Sequence, residues 1–220
     1  NNITTLRSRP KMSNEEKSDA PPQKRFKSGK EFANRTPMIW VDLEMTGLNT
    51  DKHRIIEMAC IVTDWDLNII AKGPEIVIHQ SDEVLADMDE WCVNQFSKSG
   101  LTEKVKQSTI STEECEQTML SFIRKHCKKG VAPLCGNTIG TDKVFLCKEM
   151  PNFMSHLHYR VIDVSSIKEC SSRWFPTVHH SQPKKKLCHR AMQDIEESIA
   201  ELRWYRHNIF RKLESNEDFE

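Results

Sequence analysis

The chain lacks the cysteine patterns and the long apolar segments that mark several protein classes. None of its eight cysteines forms a CxxC pair or has the spacing of a metal finger, which predicts a reduced, intracellular protein. No apolar run approaches the roughly 20 residues that span a bilayer, and no charged segment followed by an apolar one opens the chain. We therefore expect neither a secreted nor a membrane-embedded protein.

An excess of one charge is also missing. Lys and Arg together number 32, and so do Asp and Glu. Because affinity for long nucleic acid rises with each phosphate that a protein neutralises, this balance argues against strong, sequence-independent binding of long strands. If the protein binds nucleic acid, we expect a short contact or locally clustered basic residues.

The length suits one core-bearing domain, which the patterns place at residues 38–210. Residues 1–37 are polar and show no apolar periodicity, so we expect a disordered tail there and a polar tail at 211–220. Basic residues within 7–11 and 24–30 could be the remnant of a mitochondrial presequence and a nuclear signal, or simply part of a solvated tail. The compartment stays open among mitochondrion, cytoplasm and nucleus.

Apolar patterns predict the strands and helices of this domain. Residues 38–44 alternate with period 2, residues 55–63 form a nearly continuous apolar run, and residues 69–78, broken by Gly73-Pro74, predict one or two further strands. Ser111 and Glu114 form a capping box that begins a helix over 112–127.

Later patterns predict a strand at 133–137, a helix near 143–149, a strand at 159–164, a following helix that Ser165 caps, a loop at 177–187 and a final helix through 191–209. Strands first, then alternating helices and strands, predict an α/β three-layer fold with a mixed sheet.

Acidic residues on the first strand are the first candidates for chemistry. Asp42 and Glu44 lie two positions apart, so both side chains leave the same face of the sheet. Two carboxylates this close repel each other unless a cation lies between them. An exposed acidic strand face is the alternative. Asp142, His189 and Asp194, each taken alone, fit a helix cap or a surface charge better than a catalytic role.

Four segments together resemble the oligoribonuclease family of DEDDh exonucleases. They are WVDLEMTGL at 40–48, GN to DKVFL at 136–146, YRVIDVS at 159–165 and HRAMQD at 189–194. The resemblance runs from about residue 38 to 210 and implies a ribonuclease H-like exonuclease fold. It also implies 3′-to-5′ hydrolysis of short RNA oligomers, dinucleotides especially, to nucleoside monophosphates.

The resemblance implies a site with two divalent cations. Asp42, Glu44 and Asp194 would hold one ion, while Asp42 and Asp142 would help to place the second. Hard oxygen ligands suit Mg²⁺ or Mn²⁺. His189 would be the general base, since an imidazole can take a proton from water near neutral pH.

Substrate contacts are implied in the same way. Leu48 and Trp91 match positions that pack on the terminal bases, although Trp91 alone would fit a half-buried core aromatic. Tyr159, Arg160 and Ser165 match a phosphate cap that closes behind the 5′ end of the substrate and excludes long RNA. In the family the tyrosine comes from a second subunit, which implies a homodimer.

Three positions depart from the family pattern. Phe96 stands in place of a phosphate-binding histidine, Gln193 in place of an acidic residue, and Cys188 in place of a serine. The first weakens the expected phosphate cap, whereas the other two leave the five catalytic positions intact.

Two other functions stay open at this point. One is a DEDDh exonuclease that trims longer RNA or DNA, for which only the lysines at 184–186 offer a basic track. The other is a catalytically silent binding module. The complete set of five catalytic residues argues against the silent module.

Overall fold

A computed structural model describes residues 36–184 and 190–210. The described residues leave out 1–35 of the expected tail at 1–37, the expected tail at 211–220, and the segment 185–189 with Cys188 and His189. The predictions made for those parts therefore stay predictions.

Five strands form one mixed sheet in the order β3-β2-β1-β4-β5. The strands are β1 (Met38–Met45), β2 (Ile55–Thr63), β3 (Ile69–Val77), β4 (Leu134–Gly136) and β5 (Val161–Asp163). β1 pairs antiparallel with β2, and β2 pairs antiparallel with β3, whereas β1 with β4 and β4 with β5 are parallel pairs. The central position of β1 brings its carboxyl end beside that of β4.

Nine helices are found in the described residues: α1 (Asp82–Ala86), α2 (Glu90–Ser99), α3 (Leu101–Gln107), α4 (Thr112–Arg124), α5 (Ile139–Glu149), α6 (Pro151–His156), α7 (Val164–Trp174), α8 (Pro176–His180) and α9 (Ala191–Asn208). The capping box of α4 is present, with Ser111 and Glu114 each accepting a hydrogen bond from the backbone N–H of the other.

Both faces of the sheet are covered along its central strands β1 and β2, which makes the fold three-layered. Ile39, Val41 and Leu43 belong to the core on one face, which includes residues of α4, α5 and α6. Trp40 belongs to the opposite core with residues of α9, and its indole N–H donates to the Thr63 hydroxyl at 3.0 Å. The alternation along β1 therefore separates two apolar cores, and the α/β three-layer prediction with a mixed sheet is confirmed.

The structure corrects three details. Ser165 does not cap α7: the helix begins at Val164, two residues earlier than a cap at Ser165 would require, and the Asp163 carboxylate caps it by accepting the Ser165 N–H at 2.9 Å. The predicted loop at 177–187 contains α8, which begins at Pro176. The short helices α1, α2, α3 and α6 were not predicted, and α5 begins at Ile139 rather than near 143.

Seven of the eight cysteines lie in the described residues, and all seven are free thiols. Five of them are buried and pack as small apolar side chains. Across residues 36–184 and 190–210, no helix combines the length and the apolar character needed to cross a bilayer.

Candidate active site

Three of the predicted carboxylates meet between β1 and α9. Ligand atoms of Asp42, Glu44 and Asp194 all lie within 4.8 Å of one another. The two β1 residues share a face because strand side chains alternate, and this is the face on which α9 packs. Asp194 comes from the first turn of α9, where its N–H donates to the Arg190 carbonyl at 3.0 Å.

Asp142 joins the site from the first turn of α5. Its Oδ1 accepts the Leu43 backbone N–H at 3.1 Å, so the carboxylate is fixed to the part of β1 that carries Asp42 and Glu44. The side chain is only 7% exposed, so water can do little to stabilise its negative charge. β1, α5 and α9 thus bring together four acidic residues from three distant parts of the sequence.

Burial and mutual repulsion perturb this group strongly. Burial, then the charges of Asp142, Glu44 and Asp194, raise the pKa of Asp42 well above its usual range. Burial, then the charge of Glu57, raise the pKa of Glu44 to about 8, and burial raises the pKa of Asp142 to about 7. Without a counter-charge, these carboxyls therefore resist ionisation near neutral pH.

The donor set fits a divalent cation. All four side chains offer carboxylate oxygens, which are the ligands that Mg²⁺ and Mn²⁺ prefer. A bound cation would also offset the repulsion that raises these pKa values. Divalent metal use is therefore consistent with both the geometry and the electrostatics of the site.

A cavity of about 410 Å³ opens directly beside Glu44. Leu48 and Trp91 line it, and their side chains remain 71% and 59% exposed. Trp91 lies in the first turn of α2, so the alternative that it is a half-buried core aromatic is wrong. Two large apolar side chains at the rim of an acidic site are suited to stack against bases rather than to stabilise the core.

The backbone beside Leu48 can approach α2 only because residue 47 is glycine. A Cβ atom on Gly47 would lie 2.2 Å from His53 Cε1 and 2.4 Å from Asp89 Oδ2. His53 Nδ1 accepts the Asn49 N–H at 3.0 Å, which closes the 46–53 loop that carries Leu48. The loop that presents Leu48 is therefore tightly packed.

The predicted phosphate-cap residues lie around the end of β5. The Ser165 hydroxyl accepts the Thr138 N–H at 2.9 Å and donates to Asn137 Oδ1 at 3.0 Å. Tyr159 is 73% exposed, and the Arg160 guanidinium lies 5.4 Å from the centre of its ring. Ser165 is thus held in a hydrogen-bond network, whereas the aromatic ring extends into solvent.

Thr138 is a polar residue of this network that sequence reasoning missed. It has φ of 51°, a left-handed conformation that non-glycine residues rarely adopt, and its hydroxyl lies 3.0 Å from that of Ser165. Its N–H also reaches the Asp163 carboxylate at 3.0 Å. The sequence could have pointed to Thr138 through Gly136-Asn137, which end a strand, because turns at strand ends often place a polar residue at a functional site.

The departures from the family pattern fall in different environments. Phe96 is 1% exposed and packs in a small apolar cluster, but it also borders the cavity of Leu48 and Trp91. Gln193 is exposed on the first turn of α9. His189, the expected general base, and Cys188 lie outside the described residues, so the structure does not place either of them.

Sequence comparisons relate this chain to known exonucleases. It matches the exonuclease family of the RNase T type over residues 39–202. It is 59% identical over 174 residues to a probable oligoribonuclease of Dictyostelium discoideum, covering 79% of this chain and 90% of the relative. It is 54% identical over 185 residues to the mitochondrial oligoribonuclease of Homo sapiens (84% and 77% covered) and 52% identical over 180 residues to the oligoribonuclease of Marinobacter nauticus (82% and 99% covered).

Solved structures of exonuclease I share the fold. One gives a TM-score of 0.63 at 13% identity and covers 79% of this chain and 41% of the exonuclease. A zinc-bound complex of the Escherichia coli enzyme with single-stranded DNA gives 0.59 at 14% identity, with 80% and 41% covered. This chain therefore spans about two fifths of those proteins. The likeness confirms the ribonuclease H-like exonuclease fold that the sequence resemblance implies.

Proposed function

Because this chain belongs to the oligoribonuclease family of exonucleases, we propose that it is a 3′-to-5′ exoribonuclease that hydrolyses short RNA oligomers, dinucleotides especially, to nucleoside 5′-monophosphates. The observation that carries the proposal is the group of Asp42, Glu44 and Asp194 within 4.8 Å of one another, beside the cavity that Leu48 and Trp91 line. This arrangement joins a cation site to an apolar surface for bases.

Two ions of Mg²⁺ or Mn²⁺ would be held by these carboxylates. Asp42, Glu44 and Asp194 would hold one, and Asp42 with Asp142 would help to place the other. Bound divalent cations neutralise the charge that develops on a phosphoryl group and lower the pKa of water. The raised pKa values of the carboxyls support this assignment, because a site built for cations has uncompensated negative charge without them.

The protein's own groups would position the substrate and move the proton. Leu48 and Trp91 would pack on the terminal bases, which explains tolerance of any base because every base has a π-face. His189 would take the proton of the attacking water, a role that rests on the family resemblance. In the sequence it directly precedes Arg190, the N-cap residue of α9.

Preference for short RNA would come from the group around β5. Ser165 and Arg160 would contact the 5′ phosphate, and Tyr159 of a second subunit would complete the cap, so the active protein would be a homodimer. The 73% exposure of Tyr159 supports its role, while the Ser165 hydroxyl, which donates to Asn137 Oδ1, would turn its proton to the phosphate on binding. The neutral overall charge agrees, since a site for a few nucleotides needs no extended basic track.

The compartment is proposed from the relatives. The Homo sapiens, Mus musculus and Bos taurus proteins are mitochondrial oligoribonucleases. We expect this protein in mitochondria, in the cytoplasm or in both, and imaging of the full-length tagged protein with compartment markers would decide.

The test is the direction and metal dependence of cleavage. A 5′-labelled RNA pentamer with Mn²⁺ should give a ladder that shortens from the 3′ end, and EDTA should stop it. Asp42→Asn should abolish cleavage, because it removes a ligand shared by both ions. Asp82→Asn, which changes a side chain that is 87% exposed on α1, should cleave like the original protein. Turnover by Asp42→Asn at the original rate would remove the two-ion assignment.

A further inference from the structure

A second pair of acidic side chains lies beside the cation site, and one arginine bridges the two. Glu57 on β2 pairs directly with Glu44 in the sheet and is 0% exposed, although the rest of its strand is almost wholly apolar. Glu75 on β3 pairs with Ala59, two residues further along β2, and therefore shares the same face. Arg190 reaches both, with Nη2 at 3.1 Å from Glu57 Oε1 and 2.9 Å from Glu75 Oε1.

Glu57 also holds the beginning of α9. Its second oxygen, Oε2, accepts the backbone N–H of Ala191 at 3.3 Å. The residue at the N-cap of this helix is Arg190, whose side chain makes no capping bond, so the Glu57 carboxylate satisfies a helix donor that would otherwise be left open. A negative charge at this position also interacts favourably with the helix dipole.

The helix turn fixed in this way carries Asp194. The Asp194 N–H donates to the Arg190 carbonyl at 3.0 Å, and the Asp194 carbonyl accepts the Ser198 hydroxyl at 2.7 Å. The position of the Asp194 carboxylate relative to Glu44 and Asp42 therefore depends on where the Arg190–Ala191 backbone is held.

We propose that Glu57 and Arg190 are positioning residues for the cation site: the Glu57 carboxylate, neutralised by Arg190, anchors the first turn of α9 and so places Asp194 against Asp42 and Glu44. The inference rests on the proposed cation site. Arg190 has a second effect, because it offsets the charge of Glu57 directly beside Glu44. Because Arg190 pairs with Glu57, the neighbouring Glu44 carboxylate stays available to bind the cation.

Direct binding of Mn²⁺ tests the proposal independently of turnover. Titration followed by electron paramagnetic resonance would compare the original protein with two variants. Glu57→Gln keeps the shape but gives up the charge, and Arg190→Lys has a shorter side chain that should not reach both carboxylates from the position that Nη2 occupies. Groups that orient metal ligands typically change affinity by about 10- to 100-fold when altered, so we expect that loss in both variants.

Lys72→Gln is the matched control. Lys72 on β3 forms an exposed ion pair with Glu196 of α9 at 2.5 Å, so it also joins the sheet to this helix, but it does not contact the helix start. We expect its Mn²⁺ affinity to be unchanged. Saturating Mn²⁺ should restore much of the turnover of Glu57→Gln and Arg190→Lys, whereas a role in stability alone would lower the unfolding temperature and leave Mn²⁺ affinity unchanged.

The outcomes separate the inference from the proposed function. Failure of the original protein to bind Mn²⁺ would remove the cation site and the inference with it. Binding by the original protein and equal affinity in Arg190→Lys would overturn the inference while leaving the cation site intact. If Glu57→Gln does not fold, as circular dichroism would show, Arg190→Lys and Lys72→Gln still decide between these outcomes.

Discussion

Replacing Phe96 by histidine tests whether residue 96 contributes to packing, to substrate binding, or to both. A histidine at this position is what the family resemblance leads one to expect. In this protein the phenyl ring is 1% exposed, and its cluster consists of apolar side chains, namely Ile56, Leu85, Met88, Cys92, Leu101 and Val105, with Val77 beside them. An imidazole placed there would lose apolar contact and bury at least one polar nitrogen.

The stability cost follows from that environment. Burying a polar group without a hydrogen-bond partner costs about 1–3 kcal/mol in proteins. For a domain of this size, each kcal/mol lowers the unfolding temperature by roughly 2–4 °C. We therefore expect Phe96→His to unfold about 2–12 °C lower than the original protein in a thermal melt. An unchanged melting temperature would mean that the imidazole finds a polar partner or reaches the cavity.

The same variant should change substrate preference, because Phe96 also borders the cavity of Leu48 and Trp91. A histidine can donate a hydrogen bond to a 5′ phosphate, and such charge-assisted bonds contribute about 1.5–3 kcal/mol. We expect kcat/KM for a 5′-phosphorylated dinucleotide, relative to a pentanucleotide, to rise by about ten- to a hundredfold. Phe96→Leu, which supplies no donor, should keep the original ratio. If the length profiles of Phe96→His and the original protein coincide, Phe96 is only a packing residue.

Three further predictions concern the site itself. His189→Ala should lower turnover by about 10²–10⁴-fold while dinucleotide binding survives, and an unchanged pH–rate profile would assign the base elsewhere. Trp91→Ala should weaken dinucleotide binding by roughly 1–3 kcal/mol. The melting temperature should change little, since the ring is 59% exposed. A large loss of stability would contradict the assignment of Trp91 to substrate binding. Because the pKa of Glu44 in the metal-free protein is raised to about 8, protons compete with cations below that pH. Mn²⁺ affinity should therefore weaken by about tenfold or more per pH unit as pH falls from 8 to 6, since the pKa values of Asp42 and Asp142 are raised as well, and calorimetry in two buffers should detect proton release. A dissociation constant independent of pH would contradict the account.

Strongly apolar or strongly capped segments could be predicted from the sequence. The strand at 55–63 has the predicted bounds because every one of its positions is buried, and the final helix begins at Ala191 because its apolar period starts there. The helices α1, α3 and α6 have five to seven residues, too short for a period to emerge. At α7 the sequence predicted Ser165 as the cap, but the Ser165 hydroxyl is bonded to 137–138, a tertiary contact that sequence spacing does not encode, and Asp163 caps the helix.

The candidate site, too, could be predicted from the sequence only in part. Asp42 and Glu44 could be assigned to one face from strand alternation alone, whereas their approach to Asp142 and Asp194 depends on how α5 and α9 pack, which sequence spacing does not encode. The apolar pattern at 55–63 hid Glu57, which was treated as part of a buried strand. Its acidic side chain could have indicated a nearby cationic partner, because a buried charge requires one.

The dependence of kcat/KM on oligomer length tests the central claim most directly. Synthetic 5′-phosphorylated RNAs of two, three, five, seven and ten nucleotides would be assayed with Mn²⁺ under identical conditions, with release of mononucleotide as the readout. The account predicts the highest kcat/KM for the dinucleotide and a steady fall with length, since the carboxylates, the Leu48–Trp91 cavity and the residues around Ser165 would enclose only a short substrate. A kcat/KM that is constant or rises from two to ten nucleotides would contradict it and would identify an exonuclease for longer strands.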